Sequence, residues 1–308
     1  MTPTRKAHLQ MHFCVLLWGF TAILGKLITL GAMALVVWRM ALVAAALMMV
    51  PRVWRGLRAL PARLWGIYSG IGLLVALHWL TFYGAIKLAN ASVAVTCIAL
   101  ATVFVPVVEP WITGRRFAPR ELLLGVAVVP GVALVVGGVP DDMHLGIVVG
   151  TISALLVAFF GALNKRYVHE ADPLTVTGVE LGAGGLALAL LTPVLPWFGT
   201  PWVLPDAHDL GLLLVLALAC TLLPFALSLV ALRHLSAFSA QLAVNLEPIY
   251  AIVLAIVLLG EQRELGGLFY LGVAVILAGV FLHPLLSPGP AHKPEPANLG
   301  TAEAKGLD

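Results

Sequence analysis

The sequence predicts an all-α membrane protein of ten transmembrane helices arranged as two inverted five-helix repeats. Three observations carry this expectation. Of the 308 residues, 61% are hydrophobic and only 11% charged, against about 25% charged in ordinary soluble domains. Ten apolar segments are long enough to cross a bilayer core, which takes about 20 residues of helix. The chain also echoes itself at an offset of 146 residues.

In order, the segments run over 9–28, 32–50, 65–86, 92–113, 121–139, 145–164, 174–195, 210–231, 238–259 and 265–285. Short intervals join them, as suits a compact helical bundle. A brief cytoplasmic N-terminus (1–8) precedes a first repeat (9–139, spans one to five) and a second (145–285, spans six to ten). A polar, Pro-rich stretch at 287–308 is expected to be a disordered cytoplasmic tail. Leu9–Ile28 is no cleaved signal peptide, because it lacks an Ala-x-Ala site and more spans follow. Pro106, Pro110, Pro130, Pro224 and Pro248 lie inside spans. Membrane bundles tolerate them because neighbouring groups satisfy the freed backbone. Cys14, Cys97 and Cys220 sit in apolar runs and read as small hydrophobes without metal spacing.

The offset lays Ala85–Gly114 over Ala231–Gly260, with identities at Ala85/Ala231, Ala91/Ala237, Ala94/Ala240, Leu100/Leu246, Val107/Val253 and Gly114/Gly260. The surrounding hydropathy repeats as well, which points to a duplicated unit. Orientation follows from the cations. With a cytoplasmic N-terminus, that side holds 14 of the 18 Lys and Arg residues and the opposite side holds 3, with Arg39 inside a span. The positive-inside rule therefore puts both termini in the cytoplasm, and an even span count agrees. Five spans per repeat is odd, so the second copy enters the membrane upside down. Inverted repeats are the architecture of alternating-access carriers, which bind near the midplane where the halves meet.

Four ionisable residues lie well within spans: Arg39, His78, Glu180 and Glu247. A charge at such depth costs at least about 2.5 kcal/mol unless paired, hydrated or protonated. Glu247 stands beside Pro248, which removes a backbone donor and loosens the helix there. It either binds a cationic group or exchanges a proton, or else it bonds a neighbouring helix or Arg39. Arg39 and Glu180 hold corresponding places in spans two and seven. Arg39 then has an acidic partner, Glu180 or Glu247, or it snorkels to the headgroups. In span three, His78 and Phe82 share one face while Trp79 and Tyr83 share the next. These rings line a cavity for a planar or cationic substrate, or they are bundle packing. Trp18, Gln241, Asn245 and Tyr250 join the candidates, since polar and amphipathic side chains inside spans seldom face lipid. For Asn245, bridging two helices is the equal alternative. Glu109 is placed in the membrane interface, and Glu261 in a capping or loop-pairing role.

Several function classes fall away. The basic residues form short clusters between apolar runs, which is no nucleic-acid footprint. No His-Glu-x-x-His, Gly-x-Ser-x-Gly or Walker sequence is present, so no catalytic metal, nucleophile, cofactor or ATP-driven step is expected.

Trp18-Gly19, Arg39, and Leu246-Glu247-Pro248 followed by Leu259-Gly260-Glu261 make the chain resemble the drug/metabolite transporter superfamily. The resemblance is to EamA-type transporters, with ten spans in two fused repeats, and covers about residues 9–285. The first repeat departs from the pattern: Thr102 stands where the second has Pro248, and Gly114-Arg115 replaces Gly260-Glu261. The resemblance implies an inner-membrane exporter of small metabolites such as amino acids or nucleobases. It implies alternating access driven by a substrate or proton gradient, in a monomer or homodimer within the lipid bilayer. Against this stand a flippase of lipid-linked or headgroup substrates and a membrane-embedded enzyme, for which the loops are too short to supply an acid/base pair.

Overall fold

The computed structural model describes residues 2–286, so the tail at 287–308 lies outside the described residues. From the N-terminus the helices are α1 (Pro3–Leu27), α2 (Ala32–Met48), α3 (Pro51–Ala59), α4 (Ala62–Leu88), α5 (Ala91–Ile98), α6 (Ala101–Thr113), α7 (Pro119–Val126) and α8 (Val129–Gly137). There follow α9 (His144–Tyr167), α10 (Pro173–Leu190), α11 (Ala207–Ala217), α12 (Leu223–Leu232), α13 (Ala237–Val244), α14 (Glu247–Leu254) and α15 (Gly267–Leu286). α11 passes into α12 through a π-helical turn at Leu218–Leu222, and α14 ends in another at Ala255–Leu259. No strand occurs among the described residues.

Seven stretches are long and apolar enough to cross a bilayer: Pro3–Leu27, Ala62–Leu88, Ala91–Thr113, Asp141–Tyr167, Pro173–Leu190, Ala207–Leu232 and Ala237–Leu259. Of the three other expected segments, two are helical but broken. α2 meets α3 at 95°, with Pro51 opening the new helix and supplying no donor to continue the old one. α7 and α8 part at Ala127–Val128, where Pro130 lacks the N–H that would reach back one turn. α15 (Gly267–Leu286) covers the third as one helix of 20 residues. The segment expected at 174–195 stops at Leu190, ahead of Pro193.

Two broken spans cross at the centre. α5 gives way to α6 at Ala99–Leu100, and α13 to α14 at Asn245–Leu246. Their caps agree in register. Asn90 accepts the Val93 N–H at 2.9 Å, and Ser236 accepts that of Ser239 at 3.0 Å. Gly114 (φ 73°) and Gly260 (φ 71°) close the two spans in the left-handed conformation that glycine alone adopts freely. The pair runs antiparallel, since Ala91 and Ser92 meet Glu261, Thr102 meets Asn245, and Ala237 and Phe238 meet Glu109.

At the end of the bundle where α13 begins, cations cover helix carboxyl ends. Lys165 donates to the Leu232 carbonyl at 2.7 Å and Arg166 to that of Ile112 at 2.6 Å. These pairings satisfy terminal carbonyls and complement the helix dipole. At the other end Lys87 donates to the Ile28 carbonyl at 2.6 Å, and Asp209 accepts both the backbone N–H and the hydroxyl of Thr29.

Candidate functional site

The breaks place polar groups where an unbroken helix would hide its backbone. Glu247 is the first residue of α14, with Pro248 second. Proline fits that position because its missing N–H would be unpaired there anyway. Gln241, one turn before the break, donates to Asn245 at 3.2 Å, and Asn245 donates to Thr102 of the other broken span at 2.5 Å. A ladder of amides and a hydroxyl therefore joins the two breaks.

A cavity of about 140 Å³ opens beside this ladder. Trp18, Arg39, His78, Trp79, Gln241 and Glu247 all line it, together with Phe82, Phe160 and Phe225. It extends past Asn164 and Gly161 to Leu232 and Ala237, the end where α9 finishes and α13 begins. Behind Arg39, α1 and α4 pack closely: a methyl group added at Gly25 would lie 2.3 Å from the Tyr83 ring.

Arg39 is only 1% exposed. Its Nε donates to Thr221 at 2.5 Å and its Nη1 to the Tyr83 hydroxyl at 2.7 Å. The guanidinium carbon lies 3.8 Å from the centroid of the Trp79 ring, within cation–π range. Glu247 shares the cavity with Arg39, yet its carboxylate accepts no hydrogen bond and pairs with no cation within 4.0 Å among the described residues. The site thus presents a fixed cation on an aromatic bed and an unpaired carboxylate in one small apolar chamber.

The imidazole of His78 has a defined orientation. Its Nδ1 approaches the Ser153 carbonyl (3.2 Å) and hydroxyl oxygen (2.8 Å), while that hydroxyl donates to the His78 carbonyl at 2.9 Å. The carbonyl and hydroxyl of Ser153 thus hold one edge of the ring.

Comparison with known proteins agrees with this architecture. The model of the EamA-like transporter family matches twice, over residues 5–137 and 144–283. The chain belongs to the EamA-like transporter family. A relative, the uncharacterized transporter YcbK of Bacillus subtilis (strain 168), is 26% identical over 163 residues. That match spans 49% of this chain and about half (52%) of the relative's length. A crystal structure of a protein 17% identical superimposes with a TM-score of 0.66, covering 92% of this chain and 97% of that one, and shows a shared fold. As a member of this family, with several helices long and apolar enough to cross a bilayer, the chain is a multi-pass membrane protein.

Six of the ten residues singled out in the sequence meet at the cavity: Trp18, Arg39, His78, Trp79, Gln241 and Glu247. Tyr83 stands behind Arg39 and anchors it, and Asn245 bridges the two broken spans. Tyr250 does not join them and is 38% exposed. Gly19 lets α14 approach α1 so closely that the Tyr250 Cβ fills the contact and its ring is left outward. The expected acidic partner of Arg39 is corrected too. Neither Glu180 nor Glu247 forms an ion pair with it, and Arg39 does not snorkel, because Thr221, Tyr83 and Trp79 satisfy it in place. Glu180 is fully buried against Asn164. Glu109, placed in the interface by sequence, is 1% exposed and caps α13, while Glu261 caps α5 as foreseen. Sequence reasoning passed over Thr221, Ser153 and Asn164. Each is a polar residue inside an apolar run, so the rule that selected Gln241 would have found them.

Proposed function

We propose that this EamA-like transporter is a secondary-active carrier of ten spans in two inverted five-helix repeats, 9–139 and 145–285. It sits in the inner membrane with both termini in the cytoplasm and exports small metabolites such as amino acids or nucleobases by alternating access. One observation carries the reading: the unpaired carboxylate of Glu247 shares with Arg39 and several aromatic rings one cavity at the crossing of two broken spans. Glu247 would take the amino or ring N–H group of the solute, Arg39 its carboxylate or carbonyl, and the Trp18, Trp79 and Phe225 rings its apolar body. Two halves gripping one central site can expose it to each side in turn. In the proposed orientation the cavity reaches toward the cytoplasm, the loading side for an exporter.

Counterflow in proteoliposomes tests this reading. Pooled labelled amino acids and nucleobases are offered to wild-type protein and to Glu247→Gln. Saturable exchange by wild type, strongly reduced in Glu247→Gln, supports it. Folded protein that exchanges none of these solutes but moves a fluorescent lipid between leaflets would replace it with the flippase reading.

A further inference from the structure

Glu180, unlike Glu247, does not line the cavity. It is fully buried on α10, and no ion pair among the described residues involves it. Among the described residues its one hydrogen bond comes from Asn164 Nδ2 to Oε2, at 3.4 Å. The other oxygen of each side chain, Glu180 Oε1 and Asn164 Oδ1, is buried without a partner. Both orphans are acceptors. A charged carboxylate here would lack a counter-ion among the described residues and leave a second buried acceptor unsatisfied beside it, a costly arrangement in a medium without water.

We infer that Glu180 and Asn164 form a proton-binding site in the wall of the transport cavity. One proton on Oε1 turns the orphan pair into an acid–amide couple: Glu180 O–H donates to Asn164 Oδ1 while Asn164 N–H donates to Glu180 Oε2. A single hydrogen thereby satisfies both orphans. The charged and titratable neighbours are committed elsewhere. On α4, Tyr68 donates to the Tyr167 carbonyl at 3.0 Å and His78 is bound to Ser153. On α2, Arg39 is held by Thr221 and Tyr83, and on α3, Arg52 pairs with Asp172 at the foot of α10. Past the end of α12, Arg233 donates to the carbonyls of Val168 and Ala171. Asn164 also lines the cavity, so it connects the buried acid to water there. Loss of the proton leaves both acceptors unsatisfied and turns the Asn164 amide, which changes the cavity wall. This assigns ion coupling to Glu180 and leaves Glu247 for the solute, and it rests on the carrier reading only for what the proton drives.

Infrared difference spectroscopy of the full chain in lipid tests the site independently of transport. Wild type at neutral pH should show a carboxylic-acid C=O band that is absent in Glu180→Gln. In Asn164→Leu the band should move to the higher frequency of an acid without a partner. Glu180→Gln places an N–H where the acid O–H stood and keeps the couple, so it should fold with an undiminished thermal midpoint. In proteoliposomes, accumulation driven by a pH gradient should be lost in this variant. A wild-type spectrum identical to that of Glu180→Gln would overturn the inference. So would a thermal midpoint that sodium raises in wild type and not in the variant, because a metal cation would then be the occupant. Should wild type show the band yet exchange no solute, the proton site stands and the carrier reading falls.

Discussion

Glu109 and Glu261 each cap the broken span to which the other is attached. Glu261, just past the end of the α13–α14 span, accepts the N–H groups of Ala91 and Ser92 at 3.0 and 2.9 Å. Glu109, near the end of the α5–α6 span, accepts those of Ala237 and Phe238 at 2.9 and 3.0 Å. Each pair of donors opens a helix buried at its first turn, where an anionic acceptor also complements the dipole. The two carboxylates do not correspond in the repeat. Arg115 stands in the register of Glu261, and Glu109 supplies the cap from inside its helix instead.

The first prediction follows from those four bonds. Glu261→Ala and Glu109→Ala each strand two buried N–H groups, and an unsatisfied buried donor costs about 1–3 kcal/mol. Each variant should therefore lower the thermal midpoint in detergent, and Gln, with one acceptor left, should lower it less. The sites lie a span apart, about 30 Å at 1.5 Å per residue, so the losses should add within about 0.5 kcal/mol. A double variant no worse than either single one would show that the caps do not act independently.

Arg115 carries the second prediction. It reaches Glu109 at 3.5 Å and forms a forked pair with Glu121. The Glu121 hydrogen bonds raise its guanidinium above the ordinary arginine range. A raised folded-state value means this stabilisation is complete below the unfolded one and is lost only as pH climbs past both, outside any working range. Salt, not alkali, should weaken it. Arg115→Ala should cost less than about 1 kcal/mol, as partly exposed pairs do. The difference from wild type should shrink between low and high ionic strength while staying flat from neutral to mildly alkaline pH. A steep alkaline slope would contradict the assignment.

The backbone crossing of α4 and α10 yields a third prediction with its own control. A Cβ at Gly72 would lie 2.1 Å from the Glu180 carbonyl oxygen, whereas nothing stands within 4 Å of one at Gly70. Backbone cannot step aside as a side chain can, so Gly72→Ala should cost about 3 kcal/mol, the upper range for overpacking. Gly70→Ala, two residues away, should be neutral or gain up to about 1 kcal/mol through the unfolded chain. Folded yield and thermal midpoint separate the two. Equal behaviour would mean the helices do not cross so closely.

How much of this was legible in sequence depends on whether a residue marks its own role. Pro248 announced the break at Glu247, and α14 does begin there. The matching break at Ala99–Leu100 has no proline to mark it, since Thr102 occupies that place. Only the offset of 146 residues points to it. The depth of Arg39 was plain, but its partners were not. A search for opposite charge finds Glu180 or Glu247, whereas the protein uses the hydroxyls of Thr221 and Tyr83 and the face of Trp79. Neutral acceptors 182 and 44 residues away carry no periodic or charge signal. Tyr250 erred in the opposite direction, because an amphipathic ring in a span can be turned outward by a glycine contact on its neighbour.

The last prediction tests that binding of Arg39 directly. Three interactions fix it: Nε to Thr221, Nη1 to Tyr83, and the planar guanidinium over Trp79. Lysine keeps the charge and loses the fork, because a single ammonium cannot reach a hydroxyl on each side while lying flat on an indole. Arg39→Lys should therefore behave as a loss of geometry, not of charge. Tyr83→Phe removes one bond to a charged group, worth about 1.5–3 kcal/mol, and leaves Thr221 and Trp79 in place. Trp79→Leu removes a desolvated cation–π contact of about 2 kcal/mol along with the surface proposed for the solute. The expected order of remaining counterflow is Tyr83→Phe above Trp79→Leu above Arg39→Lys, with all three folded. Arg39→Lys matching wild type would mean that the cavity needs only a positive charge at this point, and the two-ended recognition proposed for the site would be wrong.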